Sequence, residues 1–401
     1  MMFSYVEVEK SAKIKVIGVG GAGGNAINNM IAGELQGVKF IAANTDMQAL
    51  DVSKAEVKIQ MGQQLTEGLG AGANPQIGRD AATESADVLK AALADSHMVF
   101  ITAGFGGGTG TGAAPVIAGL CKDMGILTVA VDTRPFSFEG KKRGKQAEEG
   151  IHKLKETADT VITIPNDRLR GLASKNAKMV DMFRRADEIL LHSVKGITDL
   201  IMRPGLVNLD FADVKTTMAK AGMAIMGIGA ASGENRAVDA AERAISHPLL
   251  EDINIKGAKG VLMNITSSSD ITMEEMTEAS ERIYNEVGDE ADIIWGAVID
   301  DDMGDEMRVT VIATGIGGKK EETQEPVAAV PDPTYGGKVR DITPADMSVG
   351  TSDDLDEPTF QRVRRQKAVN ESAGSLYKGY KGMIIDHNDL DVPTFLRRKA
   401  D

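Results

Sequence analysis

The stretch Gly106-Gly107-Gly108-Thr109-Gly110-Thr111-Gly112 decides the fold of this chain. It follows an apolar run at residues 98–103 and leads into the helix-like sequence of residues 113–118. A strand, a glycine turn and a helix start in this order present backbone N–H groups to an anion. Glycine lets the backbone approach a phosphate closely, and the two threonines add hydroxyl donors. Five glycines in seven residues exceed what one tight turn needs, so we interpret this stretch as a phosphate cradle.

Length and amino-acid composition limit the classes of protein to which this chain can belong. With 401 residues, of which 42% are hydrophobic, the chain can bury two cores and still carry unstructured sequence. Its net charge of −14 argues against a nucleic-acid partner. The single cysteine, Cys121, excludes an internal disulfide framework, and the five histidines show no metal-ligand spacing. No apolar run is long enough to span a membrane, so we expect a cytoplasmic protein.

A second glycine loop lies near the start of the chain. A strand at residues 13–18 runs into Gly18-Val19-Gly20-Gly21-Ala22-Gly23-Gly24-Asn25, which contains the dinucleotide fingerprint Gly-x-Gly-x-x-Gly. The next strand, residues 38–43, ends in Asn44-Thr45-Asp46, whose acid could bind a ribose. No Walker A sequence occurs in the chain. An NAD-dependent oxidoreductase therefore remains open at this point.

Apolar strands alternate with helix patterns as far as residue 165. This alternation predicts an α/β fold with a doubly wound parallel sheet. In such sheets, ligands bind at the carboxyl ends of the strands. The two loops described above and a third, at residues 68–75, all fall at that edge. Their convergence predicts a nucleotide or phosphate site there.

A long helix is predicted from residue 179 to residue 202, because an apolar stripe runs along it and Pro204-Gly205 ends it. The loop that follows carries Asp210 and Asp213, three residues apart at the start of another helix pattern, residues 214–223. From the residues alone we interpret both acids as helix caps.

The remainder of the chain changes character twice. Residues 221–318 predict a second, α+β domain with its own sheet, built on strands at 260–266, 291–298 and 307–313. Residues 319–384 carry five prolines among charged and small polar residues, which predicts a disordered linker. In residues 385–401 an apolar segment lies between acidic and basic ends. Such a segment suits a peptide that folds against a partner, and equally a tail that stays solvated.

Taken together, these features resemble the tubulin and FtsZ family. The resemblance spans residues 14–318 and resumes in the last dozen residues. Ala22 stands where the family commonly has glycine. The resemblance implies six segments in chain order. They are a flexible N-terminus (1–12), a GTP-binding domain (13–178), a central helix (179–204), a C-terminal α+β domain (205–318), a disordered linker (319–384) and a partner-binding peptide (385–401). The motifs that carry it are the loops at 18–25, 44–46 and 106–112, together with 164–167, 203–205 and 208–214.

The resemblance implies that the ligand is GTP or GDP, with Mg²⁺, rather than NAD. It places the phosphates against the glycine loops, the ribose and phosphates near Glu139 and Arg143, and guanine against Asn25, Asn166, Phe183 and Asp187. A carboxylate can accept the N1–H and N2–H₂ donors of guanine, and an aromatic ring supplies a stacking face. The complete set of implied nucleotide-binding residues is Gly20, Gly21, Ala22, Gly23, Gly24, Asn25, Asn44, Asp46, Gly107, Gly108, Thr109, Gly110, Thr133, Glu139, Arg143, Asn166, Phe183 and Asp187.

The resemblance also reverses the interpretation of the acidic loop. It implies that Asn208, Asp210 and Asp213 are catalytic and act on the nucleotide of a neighbouring subunit, so that GTP hydrolysis depends on polymerisation. Head-to-tail contacts of this kind generate an open filament. A filament that uses the nucleotide only as a structural ligand, without hydrolysis, remains the second alternative.

The tail is implied to bind membrane-tethering adaptors and regulatory division proteins. Its candidate contact residues are Asp391, Pro393, Phe395, Leu396 and Arg397. The chain is then expected to be cytoplasmic and assembled at the division site beneath the inner membrane. Its contact with the membrane would be indirect only, and no nucleic-acid partner is expected.

Overall fold

A computed structural model of the chain describes residues 12–170, 178–203, 205–219, 222–250, 255–288 and 291–316, and the backbone of 377–378 and 384–385. The chain forms two units, residues 1–323 and residues 324–401. The predicted N-terminal segment 1–11 and nearly all of the predicted linker and tail lie outside the described residues.

Eleven strands of the first unit form one sheet. In chain order they are β1 (Ile14–Val19), β2 (Val38–Asn44), β3 (Val57–Gln60), β4 (Met98–Gly104), β5 (Leu127–Arg134), β6 (Thr160–Pro165), β7 (Gly205–Val207), β8 (Gly222–Ser232), β9 (Gly260–Ser267), β10 (Asp292–Ile299) and β11 (Glu306–Thr314). In the second unit, β12 (Tyr377–Lys378) pairs antiparallel with β13 (Ile384–Ile385).

The helices connect these strands. They are α1 (Gly20–Ala32), α2 (Met47–Asp51), α3 (Gln63–Thr66), α4 (Pro75–Glu84), α5 (Ala86–Leu93), α6 (Thr109–Asp123), α7 (Lys141–Thr157), α8 (Asn166–Leu169), α9 (Met179–Met202), α10 (Phe211–Ala219), α11 (Arg236–Ile245) and α12 (Met273–Val287). A short 3-10 turn, Ser137–Glu139, precedes α7.

The first half of the sheet is parallel, as predicted. Its strands lie in the order β3-β2-β1-β4-β5-β6, and every neighbouring pair is parallel. The order reverses between β1 and β4, which is where doubly wound sheets bind ligands. The loops after β1 and β4 are the two glycine loops identified in the sequence.

The sheet continues into the second half of the unit, where the sequence predicted a separate sheet. That prediction is wrong, because β8 pairs in parallel with β6, with Gly222–Ala224 opposite Thr160–Ile162. Beyond β8 the order is β11-β9-β10-β7, with only the β9–β10 pair parallel. Backbone hydrogen bonds therefore join the two halves of the unit.

Helices cover both faces of the parallel strands. One apolar cluster joins the sheet to α1 and α9, and a second joins its other face to α4, α5, α6 and α7. The predicted stripe of α9 contributes Ile189, Leu190, Val194 and Ile197 to the first cluster, with Ile201 packed at its margin. A third cluster fills the space between β8, β9, β11 and the helices α11 and α12. The helix α9 thus runs along the core as the sequence predicted.

Two elements differ from the sequence-based expectation. The helix after the acidic loop covers Phe211–Ala219 rather than residues 214–223. The strand β8, Gly222–Ser232, follows almost at once and was missed, because its glycines, alanines and methionines give no strand signal. Of the described residues, none belongs to a helix with the length and apolar character needed to cross a membrane.

Candidate functional site

A cleft of about 360 Å³ lies at the carboxyl ends of the parallel strands. Six of its lining residues are not among the predicted nucleotide-binding residues, and two of these six are Ala186 and Leu190 of α9. These two follow Phe183 at helical spacing, so the periodicity of α9 could have identified them. The cleft brings together most of the predicted nucleotide-binding residues: Gly21, Ala22, Asn25, Gly107, Gly108, Thr109, Gly110, Thr133, Glu139, Arg143, Asn166, Phe183 and Asp187.

Two helix N-termini meet at one end of the cleft. Neither α1 nor α6 has a side chain that caps its first turn. By contrast, Asp46 caps α2 and Asn74 caps α4. The two uncapped ends are adjacent, since a Cβ placed on Gly20 would lie 3.0 Å from the Gly110 nitrogen. First-turn N–H groups and the helix dipoles therefore converge on one point, which suits a polyanionic ligand.

The glycines of these loops serve two different purposes. A Cβ on Gly18 would lie 2.3 Å from the Gly23 carbonyl oxygen, and a Cβ on Gly23 would lie 2.5 Å from the Thr102 carbonyl oxygen. Both residues therefore allow α1 to pack closely on the sheet. Around Gly21 and Gly107, a Cβ would meet nothing within 4 Å. The backbone at these two positions faces open space, where a ligand can approach it.

The two threonines of the 106–112 loop also differ. The Thr109 hydroxyl lines the cleft and lies 2.7 Å from the Thr45 hydroxyl. Thr111 is buried and its Oγ1 accepts a hydrogen bond from the Gly106 N–H at 2.9 Å. Only Thr109 thus offers a donor to the cleft, whereas the sequence predicted donors from both. Thr111 instead shapes the loop.

Glu139 and Arg143 form the outer wall of the cleft. Glu139 Oε1 accepts a hydrogen bond from the Phe136 N–H at 2.9 Å, and its other oxygen pairs with the Arg143 guanidinium. The turn that carries Glu139 is held from outside, because the Asp167 carboxylate accepts from the Ser137 N–H and hydroxyl at 3.1 Å. A cation and hydrogen-bonding groups are thereby fixed in position beside the helix N-termini.

The far end of the cleft is less polar and carries an unpaired acceptor. Asn166 is 5% exposed, and its Oδ1 has no hydrogen-bond partner among the described residues. Phe183 is 42% exposed and stands edge-on to Phe136, with ring centroids 5.4 Å apart. Burial, and to a lesser degree Glu188, raises the pKa of Asp187 to about 6. An aromatic face, a carboxylate and an amide thus meet at a site that suits a polar planar ring.

The remaining predicted nucleotide-binding residues lie outside the cleft. Gly20, Gly24 and Asn44 line a side cavity of about 100 Å³ that shares Gly21 and Asn25 with the cleft. Gly23 is buried between α1 and the sheet, as described above. The Asp46 side chain accepts from the Gln48 N–H at 2.9 Å and caps α2.

The acidic loop does not reach the cleft of its own chain. Asp210 and Asp213 are exposed, and Asp210 Oδ1 accepts from the Asp213 N–H at 2.9 Å at the start of α10. Asn208 Oδ1 accepts from the Gly205 N–H at 2.7 Å and closes the loop. Within one chain, then, Asp210 caps α10 as expected from the sequence alone, whereas Asp213 lies in the first turn and supplies the N–H that Asp210 accepts from. The predicted contact residues of the tail, from Asp391 to Arg397, lie outside the described residues.

Comparison with known proteins identifies the family. Residues 13–174 match the model of the Tubulin/FtsZ family GTPase domain, and residues 222–317 match that of the FtsZ family C-terminal domain. The cell division protein FtsZ of Pseudomonas aeruginosa is 48% identical over 404 residues and covers 100% of both chains. The chain belongs to the FtsZ family. The FtsZ of Coxiella burnetii is also 48% identical, over 97% of each chain.

Solved structures agree with this assignment. An empty FtsZ dimer from M. jannaschii has a TM-score of 0.74 and 47% sequence identity, covering 77% of this chain and 89% of the other. CetZ2 from Haloferax volcanii, at 21% identity and a TM-score of 0.67, shares the fold. The predicted tubulin/FtsZ-like fold is confirmed.

Family membership settles the class of enzyme. This FtsZ-family chain is a GTPase and binds GTP and GDP, as the family resemblance implied. The alternative interpretation, an NAD-dependent oxidoreductase, is therefore wrong, although both the first glycine loop and the strand order are compatible with it. The second glycine loop distinguishes the two classes, because it adds α6 as a second helix N-terminus at the same point.

Proposed function

We propose that GTP lies in the cleft with its phosphates at the N-termini of α1 and α6 and its base against Asn166, Phe183 and Asp187. The juxtaposition of two uncapped helix N-termini carries this proposal. Gly21 and Gly107 leave room for close approach of the phosphates, and Thr109 supplies a hydroxyl donor. The ribose and the inner phosphates then lie beside the paired Glu139 and Arg143 side chains.

The base end of the cleft favours guanine by its chemistry. An ionised Asp187 accepts hydrogen bonds from the N1–H and N2–H₂ groups of guanine, which adenine does not present on that edge. Asn166 Oδ1, for which the described part of the chain offers no partner, provides a further acceptor for a base donor. Phe183 supplies a face against which the ring can stack. Leaving a buried acceptor without a partner costs free energy, so a donor on the base that reaches Asn166 Oδ1 would contribute to binding.

Mg²⁺ fits this arrangement as an ion held mainly by the substrate. Among the described residues no cluster of three or more histidine, cysteine or acidic side chains could hold a metal ion. Mg²⁺ in nucleotide sites usually keeps several waters and binds through substrate phosphates and one or two carboxylates, so such a cluster is not required. When bound, the ion neutralises phosphate charge during transfer of the γ-phosphoryl group.

A second copy of the chain completes the active site in this proposal. The cleft of a single chain holds groups that bind and orient phosphates, and its two acids, Glu139 and Asp187, are assigned in this proposal to the ribose and the base. Asp210 and Asp213 are exposed at the start of α10 and so are accessible to another subunit. Placed over the neighbour's cleft, their carboxylates orient the attacking water and accept its proton, while Asn208 holds the loop closed. Hydrolysis would then follow polymerisation.

The cellular role follows from this assembly. A cleft at one end of each subunit and an acidic loop that acts on the next generate an open head-to-tail filament. We propose that such filaments assemble at the division site and reach the inner membrane indirectly, through adaptor and regulatory proteins bound by the tail peptide. The related FtsZ from M. jannaschii has been solved as a dimer, which supports self-association.

Phosphate release, measured per subunit over a range of protein concentrations, tests the shared site. We expect a rate near zero below a threshold concentration and a rising rate above it. A constant rate per subunit would show that each chain carries a whole site. Filaments that form without phosphate release would instead indicate a structural role for the nucleotide.

A mixing experiment makes the test sharper. Asp213→Asn impairs only the loop that acts on a neighbour, and Asp187→Ala impairs only the chain's own cleft. In an equal mixture, an Asp187→Ala subunit can present an intact loop to the intact cleft of an Asp213→Asn subunit. We expect the mixture to release phosphate faster than either variant alone. No gain on mixing would contradict a site shared between subunits.

A further inference from the structure

Arg203 lies directly after α9, where the loop that carries Asp210 begins (the acidic loop). Its side chain lies between the end of α9 and the end of β10. Its Nη1 is 2.9 Å from Asp300 Oδ2, and its Nε is 3.5 Å from Asp199 Oδ1. The side chains of Asp199 and Asp300 are 7% and 16% exposed, and that of Arg203 is 31% exposed. One guanidinium thus joins two largely buried carboxylates that belong to different elements.

The loop beyond Arg203 is tied to the same elements. β7 pairs with β10, and a Cβ on Gly205 would lie 2.1 Å from the Ala297 carbonyl oxygen, so the two backbones are in close contact. Further along, the Leu209 N–H donates to the Leu200 carbonyl oxygen of α9 at 3.4 Å. The loop from Arg203 to Leu209 is therefore laid against α9 and β10.

Asp210 and Asp213 lie directly after the residues that are held against α9 and β10. Asp210 is the next residue after Leu209, and its carboxylate holds the Asp213 N–H. Val214 and Met218 of α10 are buried in the core. A displacement at Arg203 would therefore reach Asp210 and Asp213 through a short segment that is held by the Asn208 hydrogen bond and by the pairing of β7 with β10.

We propose that Arg203 is a positioning residue that holds the acidic loop in the geometry needed at a neighbouring subunit's cleft. This inference rests on the proposed function of Asp210 and Asp213. Without the guanidinium, Asp199 and Asp300 would lose the cation that pairs with both of them, while Lys195 and Arg308 would still act on Asp199. Repulsion between the two carboxylates and the loss of their charge-assisted hydrogen bonds to Arg203 would move the first residues of the acidic loop away from β10. Arg203 and its two partners are not among the described residues that line the nucleotide cleft of the same chain, so the cleft would keep its geometry.

Three variants and one control test the inference. Arg203→Met removes the charge and keeps much of the apolar stem, Arg203→Lys keeps a single charge, and Asp300→Asn removes one partner. Arg282→Met is the matched control, since Arg282 also joins two elements, α11 and α12, through its pair with Glu242 at 3.3 Å. For each variant we would measure GTP affinity below the assembly threshold and phosphate release at saturating GTP above it.

We expect Arg203→Met to lower turnover by about tenfold or more, since small misplacements of catalytic groups have effects of this order. GTP affinity should stay within about twofold of the parent. Arg203→Lys should recover part of the turnover, and Arg282→Met should behave as the parent does. This separation of turnover from affinity, with partial rescue by lysine, is what a general loss of stability would not give.

Other outcomes would overturn the inference. Parent-like turnover in Arg203→Met would do so, as would a fall in affinity that parallels the fall in turnover. If Arg203→Met fails to fold, Asp300→Asn supplies the same comparison with the guanidinium retained, and parent-like turnover there counts against the inference. Failure of the proposed function looks different, because Asp213→Asn would then retain full turnover.

Discussion

The hydroxyl oxygens of Thr45 and Thr109 lie 2.7 Å apart, which ties the first residue of α6 to the turn after β2. Thr45 is fully buried, and its carbonyl accepts from the Gly70 N–H at 3.1 Å, so its position is fixed by a third segment. A hydroxyl can accept one hydrogen bond and donate another. Thr109 can therefore accept from Thr45 while it donates into the cleft.

This relationship predicts graded effects of two substitutions. Thr109→Val removes the proposed donor to phosphate and should lower GTP affinity by about tenfold, the usual loss for a hydrogen bond to a charged group. Thr45→Val leaves that donor in place but frees its orientation, so a smaller loss is expected. Calorimetric titration with GTP below the assembly threshold measures both. Thr83→Val serves as the control, since the exposed Thr83 bonds only to a carbonyl of its own helix. Equal losses in the two variants would contradict this ranking.

The pKa of Asp187 predicts how GTP binding depends on pH. Burial raises this pKa to about 6. Guanine donors favour the ionised carboxylate, so the bound state lowers the pKa and binding is coupled to proton loss. Affinity for GTP should therefore be constant above about pH 7 and fall as the pH drops through 6. Titrations between pH 5 and pH 8 measure this, with the parent compared to Asp187→Asn.

Asp187→Asn also tests which base edge is read. The amide presents a donor where the carboxylate presents only acceptors, so it should weaken GTP and favour xanthosine triphosphate, whose carbonyl replaces the N2 amino group. The pH dependence near 6 should disappear in the variant. Unchanged preference for GTP over xanthosine triphosphate would show that Asp187 does not contact the base.

Two neighbouring glycines of α1 predict opposite stability effects. A Cβ on Gly23 would lie 2.5 Å from the Thr102 carbonyl oxygen, whereas a Cβ on Gly24 would meet nothing within 4 Å. Gly23→Ala should therefore push α1 off the sheet and cost about 1–3 kcal/mol, as overpacking usually does. Gly24→Ala should be neutral or stabilising by up to about 1 kcal/mol, since alanine favours a helix. Urea unfolding without nucleotide measures both, and equal destabilisation would contradict the packing assigned to Gly23.

Much of the site was predictable because its signals are local. Each glycine loop lies directly after an apolar strand, and parallel strands place their carboxyl ends at one edge. The guanine end was assigned through family resemblance, since nothing near Asn166 or Asp187 in the sequence marks them as part of one pocket. Their meeting depends on α9 crossing the sheet, which is a tertiary contact.

The sequence-based predictions failed where the structure depends on contacts between distant parts of the chain, or where the residue types give no clear pattern. The strand β8 is rich in glycine, alanine and methionine, and its pairing with β6 across more than fifty intervening residues made one sheet of two predicted ones. The acidic loop gave an ambiguous signal for a physical reason. Acids at a helix start are favourable as caps whether or not they also act on a ligand, so one chain cannot distinguish the roles of Asp210 and Asp213.

A buried carboxylate in β5 predicts that the stability of the chain depends on pH. Asp132 is 1% exposed, and Thr163 donates to its Oδ2 at 3.3 Å, while its Oδ1 has no partner among the described residues. Burial raises its pKa from 3.8 to about 7, although the Thr163 hydrogen bond, Lys155 and Arg134 act in the opposite direction. The folded protein therefore holds this proton at pH values where the unfolded chain has released it.

The sign of the effect follows from this difference. Below about pH 4 both states are protonated, and the group has no effect on stability. Between pH 4 and pH 7 the unfolded chain is ionised and the folded protein is not, so stability falls as the pH rises and then levels off above 7. Asp132→Asn keeps the shape and removes the charge, so it should raise the melting temperature at pH 8 and change it little at pH 4.5. Thermal unfolding at both pH values measures this, with the exposed Glu278→Gln as control. A gain in melting temperature that is equal at the two pH values would show that packing, rather than the charge of Asp132, sets the cost.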